Sequence, residues 1–378
     1  MSMVTMPEAI NPEFVVQHVA QAADRLGRRG CDGLLIFRDS NILAFCGVPL
    51  APSDRLVCGL MNRHKQVAVI LPAFEAQAAQ NSDCLDFIVT LEEHEDPYAA
   101  VATAAGRLGI GSGTVVLDGH TWVEAWRRLH AALPKAKLVA DTGIIESVRI
   151  KKTPSEIEAV RAACRDTGKV YPLAADCLRV GASEIAVGQE IARQVGSDGY
   201  ALKGQLIQGG ETASVPHRPS GERVFQAGDA VVVDCVCARG SYHGDITRTF
   251  ALGEPAEEVR RAYAVVREAQ RTAIQLVRPG VTCEAVDRAA RDVIDRAGLG
   301  PYFSHRLGHG VGLDGHEPPY LVQGNRQILE PGMCVTVEPG VYVPGRFGIR
   351  IEDVVAVTES GCEILSDSVL TDVSEAFI

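Results

Sequence analysis

The sequence predicts an α+β chain in which a smaller α/β domain, residues 1–150, precedes a larger domain, residues 151–378, built on an internal pseudo-twofold repeat. Three observations carry that expectation. The chain has 378 residues, enough for two domains that each bury a full core. A helix-start signal stands near residue 150: Thr153 as N-cap, Pro154 at the first helical position and Glu156 three residues after the cap. This capping box satisfies first-turn N–H groups that would otherwise lack partners. Beyond it, two stretches share their spacing. Gly181 and Gly199 bracket one apolar helical pattern (Ile185, Val187, Ile191, Val195) and Gly280 and Gly298 bracket another (Val286, Ala290, Val293, Ile294), 18 residues apart in both cases. Gly228 then precedes Asp234 by six residues and Gly332 precedes Glu338 by six, and each half supplies a further acid, Asp245 or Glu352. Equal spacings that end on candidate ligands point to a duplication. Helices packed outside a strongly curved antiparallel sheet are expected for this half.

The first 150 residues alternate helical and extended patterns. A helical stretch from Phe14 to Leu26 leads to the strand CDGLLIFR. NILAFCG and QVAVILP read as further strands, EAQAAQ and DPYAAVATAAGRLG as helices, and TVVLDG as a strand. His18, His64, His94, His120 and His130 are isolated and read as surface or helix-face residues. Lys151 and Lys152 read as linker before the second domain.

Composition narrows the class. With 46% apolar and 22% charged residues, the chain reads as an ordered globular protein. A formal net charge of −11 argues against nucleic acid or an anionic membrane surface as partner. No apolar run is long enough to span a bilayer. Glu8 and Glu13 interrupt an N-terminus that has neither a basic region nor an apolar stretch, so no signal peptide is expected. The 11 cysteines are scattered singly except for Cys235 and Cys237, which suits reduced, buried thiols and a cytoplasmic location. No two cysteine pairs have zinc-ribbon spacing, and Cys235 and Cys237 read as packing residues.

The chemistry concentrates in four segments: VVVDCVCARGSYHGDITRTF, HRLGHGVGLDGHEPP, VTVEPGVYVPG and GIRIEDVVAVTESG. They hold Asp234, Asp245, His309, Glu338 and Glu352 on apolar, strand-like flanks. Any one of these alone reads as a surface residue. Together, four carboxylates and an imidazole are too much charge to bury without a compensating cation. Two divalent ions bridged by carboxylates would neutralise it. Oxygen-rich ligation with one imidazole suits Mn, Co, Fe or Zn and disfavours copper. His305 precedes His309 by four residues, but Gly308 and Gly310 favour a strand or turn over a helix presenting both rings. His243 reads as an outward-facing strand residue.

These segments, in this order, resemble the pita-bread metallopeptidases, the family of methionine aminopeptidase, Xaa-Pro aminopeptidase and prolidase; the match spans about 154–378. The first 150 residues resemble, more loosely, the creatinase-type domain of the prolidase and Xaa-Pro aminopeptidase branch. Methionine aminopeptidases usually lack that domain and the RIED form of the last motif, which favours the proline-directed branch. The resemblance implies that Asp234 chelates one metal, that Asp245 and Glu352 bridge two, and that His309 and Glu338 complete the second. It implies a metal-bridging hydroxide attacking the peptide bond before proline, with Glu338 as proton shuttle. His217 (SVPHRPSG) and His316 (GHEPP) match histidines that hydrogen-bond the substrate and the tetrahedral intermediate. Arg350 either orients a ligand carboxylate or forms a structural salt bridge. A homodimer is implied, with the N-terminal domain restricting the substrate to short peptides or small molecules.

Two positions depart from the family. Val236 and Ser241 stand where glycine is usual, and a larger side chain at either would reshape the pocket wall. Alternatives to a Xaa-Pro dipeptidase or aminopeptidase are a non-peptide amide hydrolase or lyase of the same superfamily, ectoine-hydrolase-like or sulfoniopropionate-lyase-like, and a non-catalytic binding module. Creatinase-like members lacking the metal ligands, and binding modules that have lost them, fit less well because all five residues are present.

Overall fold

The computed structural model describes residues 9–50, 53–140, 143–197 and 200–366. Glu8 and Gly199, used above, lie outside the described residues. The chain divides into two compact units, Met1–Arg149 and Ile150–Ile378.

In the first unit the elements run α1 (Pro12–Arg28), β1 (Gly33–Ile36), α2 (Asp39–Cys46), β2 (Cys58–Asn62), β3 (Val67–Pro72), α3 (Ala76–Gln80), β4 (Phe87–Leu91), α4 (Pro97–Arg107), β5 (Thr114–Leu117), α5 (Val123–Ala132), β6 (Lys137–Ala140) and α6 (Gly143–Arg149). The six strands form one mixed sheet, ordered β4-β3-β2-β1-β5-β6. NILAFCG, read as a strand, is instead the body of α2. Residues 41–46 are all buried, and a short apolar run buried on every side carries no periodicity that separates helix from strand. His18 is a buried helix-face residue whose Nδ1 lies 3.0 Å from the Ala44 carbonyl.

The second unit opens with α7 (Pro154–Gly168), and its capping box forms: the Glu156 N–H donates to Thr153 Oγ1 and the Thr153 N–H to Glu156 Oε2. There follow α8 (Val170–Cys177), α9 (Glu184–Ser197), β7 (Ala201–Gly209), β8 (Ala230–Arg239), β9 (Tyr242–Ala251), α10 (Glu257–Leu276) and α11 (Cys283–Arg296). The remaining strands are β10 (Gly308–Gly310), β11 (Glu317–Leu321), β12 (Cys334–Val337), β13 (Gly340–Val343), β14 (Phe347–Arg350), β15 (Asp353–Val357) and β16 (Cys362–Ile364). They form antiparallel sheets ordered β7-β8-β9 and β11-β10-β12-β15-β16, with β13–β14 as a separate pair. Helix α7 packs on β8 and β9, and Cys235 and Cys237 are buried on β8. Burial pushes the Cys237 thiol up to about 12 and the Cys235 thiol well above its ordinary range. All 11 cysteines are free.

The repeat is visible in the hydrogen bonds. The Gly181 N–H donates to Phe225 O at 3.0 Å, and the Gly280 N–H to Leu329 O at 3.0 Å. Isolated bridges Ser183–Val224 and Thr282–Ile328 repeat the same contact. Ala230 faces Ala251 and Val233 faces Arg248; Cys334 faces Ala356 and Val337 faces Asp353. This register makes Asp234 the counterpart of Glu338. It also corrects the second pairing: the counterpart of Glu352 is Thr247, not Asp245. The two counterparts meet directly, since Thr247 and Glu352 form an antiparallel bridge, and their neighbours Arg248 and Asp353 form a buried ion pair at 2.7 Å.

Candidate metal centre

Strand alternation places Asp234 and Val236 on one face of β8, with Thr247 and Asp245 directly opposite on β9. Glu352 joins this face across the two halves through the Thr247 bridge, its N–H donating to Thr247 O at 3.0 Å. Strand β10 brings His309 to the same place. Its flanking glycines are required by close approach: a Cβ at 308 would run into the Thr336 carbonyl, and one at 310 into the Pro318 and Glu317 carbonyls. This explains GHG, and it confirms a strand in place of a helix carrying His305 and His309 together. Glu338 follows β12, its N–H bound to Leu307 O at 2.8 Å.

The five residues converge as two overlapping triplets. Ligand atoms of Asp234, Asp245 and Glu352 lie within 4.8 Å of one another, as do those of His309, Glu338 and Glu352. A third triplet joins Asp245 and His309 to His316. His309 Nε2 stands 3.2 Å from Glu338 Oε1 and 3.9 Å from Asp245 Oδ2, while its Nδ1 points at the Gly310 carbonyl, 3.1 Å away. Donation from Nδ1 to that carbonyl leaves the Nε2 lone pair available to a cation.

Electrostatics test whether this set fits cations. Burial raises Asp245 well above the ordinary carboxylate range, and the charge of Asp234 adds to it. Burial and the Asp245 charge do the same to Glu352. Burial also pushes Glu338 up, but the hydrogen bond and charge of His309, with His305 and Arg350, outweigh it and hold the carboxyl at about 2. Burial opposes charge on His309, yet Glu338 and Asp245 raise it above its usual value. Burial and mutual repulsion thus oppose ionisation of Asp245 and Glu352, while His309 and Glu338 favour each other's charged forms. Positive charge placed among these donors relieves that repulsion, so the set fits divalent ions.

Surrounding groups fix the carboxylates. Arg350 Nη2 donates to Asp234 Oδ2 at 2.6 Å and Nη1 to the Tyr342 hydroxyl oxygen at 2.8 Å. Tyr342 Oη lies 2.9 Å from His305 Nε2, so His305 reaches the centre through Tyr342. The Thr247 hydroxyl donates to Glu352 Oε2 at 2.6 Å and the Thr336 hydroxyl to Glu338 Oε1 at 3.3 Å. Tyr342, Thr247 and Thr336 escaped the sequence reading although each lies within or beside a ligand-bearing motif; neutral hydroxyl residues carry no charge anomaly to flag them.

His316 stacks on His309, ring centroids 3.8 Å apart and planes at 27°. Burial and the neighbouring His309 charge lower it to about 4, so it is neutral near pH 7. His217 is exposed, on the loop after the turn Gly210–Ser214, within electrostatic reach of both His305 and His316. That loop is pinned by the fully buried Glu184, whose oxygens accept the Gly209 N–H at 3.0 Å and the Gly221 N–H at 2.9 Å, and which also bonds the Thr212 hydroxyl.

Three expectations need correction. His243 does not face outward: it shares the Asp245 face of β9 and binds Gly312 O through its N–H (2.9 Å) and Nδ1 (3.1 Å). Ser241 is not on the pocket wall but in the two-residue β8–β9 turn, at φ +64° beside Gly240 at +54°. Val236 does line the site face, opposite Asp245. Lys152 is no linker residue; it is buried, with its side chain 2% exposed.

The comparisons agree with this geometry. The profile of Metallopeptidase family M24 matches residues 158–359, and that of the Creatinase/Prolidase N-terminal domain matches 18–151. The chain is 36% identical to the probable dipeptidase PepE of Mycobacterium tuberculosis over 355 residues, 92% of this chain and 93% of that one. It is 33% identical to the Xaa-Pro dipeptidase of Lactobacillus helveticus, over 84% of this chain and 88% of the relative. The crystal structure of dipeptidase PepE from Mycobacterium ulcerans superposes with a TM-score of 0.86 at 33% identity, covering 94% of this chain and 96% of that one. Among the described residues no helix is long and apolar enough to cross a membrane. The two halves that converge on Glu352 are thus the pita-bread domain of a peptidase, and the chain belongs to metallopeptidase family M24, in the branch with a creatinase-type N-terminal domain.

Proposed function

We propose that the chain is a dinuclear metal-dependent dipeptidase that cleaves short peptides before proline, working in the cytoplasm as a homodimer. The observation that carries this reading is the pair of donor triplets sharing Glu352. The names of the relatives, dipeptidase and Xaa-Pro dipeptidase, supply the substrate class. Asp234, Asp245 and Glu352 would hold one divalent ion, and His309, Glu338 and Glu352 the other, with Asp245 also within reach of His309. Mn, Co, Fe or Zn all suit this donor set. Such ions, when bound, polarise the scissile carbonyl and lower the pKa of water.

The protein groups do the rest. Glu338, ionised at neutral pH, accepts the proton of the attacking water and delivers it to the leaving imino nitrogen of proline. Neutral His316 and exposed His217 donate hydrogen bonds to the substrate and to the oxyanion that develops on its carbonyl. Arg350 holds Asp234 against rotation while Tyr342 holds Arg350. Val236 lies beside Asp234 and opposite Asp245 on the wall of the site. The experiment is a panel of Xaa-Pro dipeptides, Xaa-Pro-containing tripeptides and non-proline dipeptides, assayed with chelated and Mn-reconstituted protein. Metal-dependent release of proline from Xaa-Pro dipeptides is the expected result. Full turnover after chelation, or cleavage of non-proline dipeptides alone, would overturn it.

A further inference from the structure

Lys152 falls between the two segments matched by the family profiles, 18–151 and 158–359. Its Nζ lies 2.5 Å from Glu317 Oε1, and the two side chains are 2% and 5% exposed. The second Glu317 oxygen accepts the Asp314 N–H at 3.3 Å. Lys152 is itself anchored, its N–H donating to Gly332 O at 2.8 Å. Gly312 packs so tightly on the pair that a Cβ there would stand 2.7 Å from Glu317 Oε1 and 2.9 Å from Lys152 Cε. The loop Gly312–His316 is therefore held on one side by His243, through Gly312, and on the other by the ion pair. Glu317 immediately follows His316, whose ring stacks on His309.

A buried ion pair contributes little net stability, because desolvation of both charges offsets their attraction. An apolar contact of similar volume would join these segments as well. What the charged pair adds is a fixed, directional geometry. We propose that the Lys152–Glu317 pair positions His316 over the metal centre, making Lys152 a positioning residue of the active site. The proposal rests on the reading of His316 given above.

The test compares Lys152→Met in the parent and in a His316→Ala background, measuring kcat and KM on a Xaa-Pro dipeptide, bound Mn per chain and melting temperature. In the parent, kcat falls about 10- to 100-fold with KM and metal content little changed. In the His316→Ala background the further loss is under about 3-fold. Equal losses in both backgrounds, or a loss accounted for by missing metal, overturn the proposal. Lys152→Met/Glu317→Gln removes both charges and relieves the stranded carboxylate should the single variant fold poorly. Its melting temperature returns toward that of the parent while kcat stays low; recovery of kcat along with stability would make the pair structural only and refute the proposal. Full activity in His316→Ala would remove the reading of His316 itself, whereas an impaired His316→Ala with additive Lys152 loss removes the positioning role alone.

Discussion

In the first half of the C-terminal unit, the strand that carries Asp234 runs on to Arg239 and turns tightly into its partner; in the second half, the strand leading to Glu338 stops at Val337. Up to that point the halves match. Gly228 and Gly332 open both strands at φ +87° and +91°, their N–H groups bound to Leu252 O and Val357 O. The pairing registers agree residue for residue. Past it, the chemistry diverges at counterpart positions: Asp234 against Glu338, Thr247 against Glu352, Arg248 against Asp353. Each of the last two pairs is one bonded contact across the pseudo-twofold axis. Two identical halves would place two guanidinium groups, or two pairs of carboxylates, in contact there. Divergence makes them complementary, a hydroxyl donating to a carboxylate and a guanidinium to a carboxylate. Duplication supplies the geometry, and asymmetry makes the contacts across the axis attractive.

The largest effect expected from this asymmetry is kinetic. Glu338→Gln keeps the size of the side chain but cannot carry the proton, so kcat falls about 10²- to 10⁴-fold while the melting temperature stays near that of the parent. A kcat close to normal in the folded variant would remove the shuttle role. Next comes the axis contact. Arg248→Met removes the cation beside Asp353, whose carboxylate keeps its Gln270 and Ser366 hydrogen bonds, and also the Arg248 bond to the Glu352 carbonyl; breaking a buried ion pair in this way destabilises by about 3 kcal/mol, measurable by urea unfolding. A loss below about 1 kcal/mol would show that the pair is not what joins the halves.

A smaller, graded effect follows from the raised carboxyls. In metal-stripped protein, Asp245 and Glu352 hold protons that the unfolded chain has released above the ordinary carboxylate range. The folded state binds more protons, so its stability falls as pH rises, by up to about 1.4 kcal/mol per pH unit for each proton held. Melts of chelated protein between about pH 7 and pH 8 check this, above the range in which His316, His305 and His243, all lowered by burial, give the opposite slope, and metal loading removes the slope. A chelated protein whose stability rises over that range would contradict it. The smallest effect lies at the two-residue β8–β9 turn, where the second half has the separate β13–β14 hairpin instead. Ser241 occupies a left-handed conformation that a Cβ disfavours, so Ser241→Gly stabilises by about 1 kcal/mol. Destabilisation would contradict it.

The five convergent donors were legible because each sits in a contiguous motif, with acids on apolar strands that only a cation explains. The capping box was legible for the same reason, being local. What escaped was nonlocal or neutral. Lys152 sits beside another lysine at a helix start, and its partner Glu317 is 165 residues away, so nothing nearby marks it as buried. Tyr342 and Thr247 act only through Arg350 and Glu352. The correspondence between halves was read from glycine spacing, which located Asp234 and Glu338 but misaligned Asp245, because the loops beyond the shared strands differ in length. Burial on all sides hid α2.

The central claim is that both halves share one centre for two cations through Glu352. Calorimetric titration of metal-stripped protein with Mn²⁺ tests it most directly, on the parent and on Asp234→Ala and His309→Ala, each of which removes a donor from only one of the two triplets that share Glu352. The account predicts two equivalents bound by the parent and one retained by each variant. A parent that saturates at a single equivalent, with both variants binding none, would contradict it.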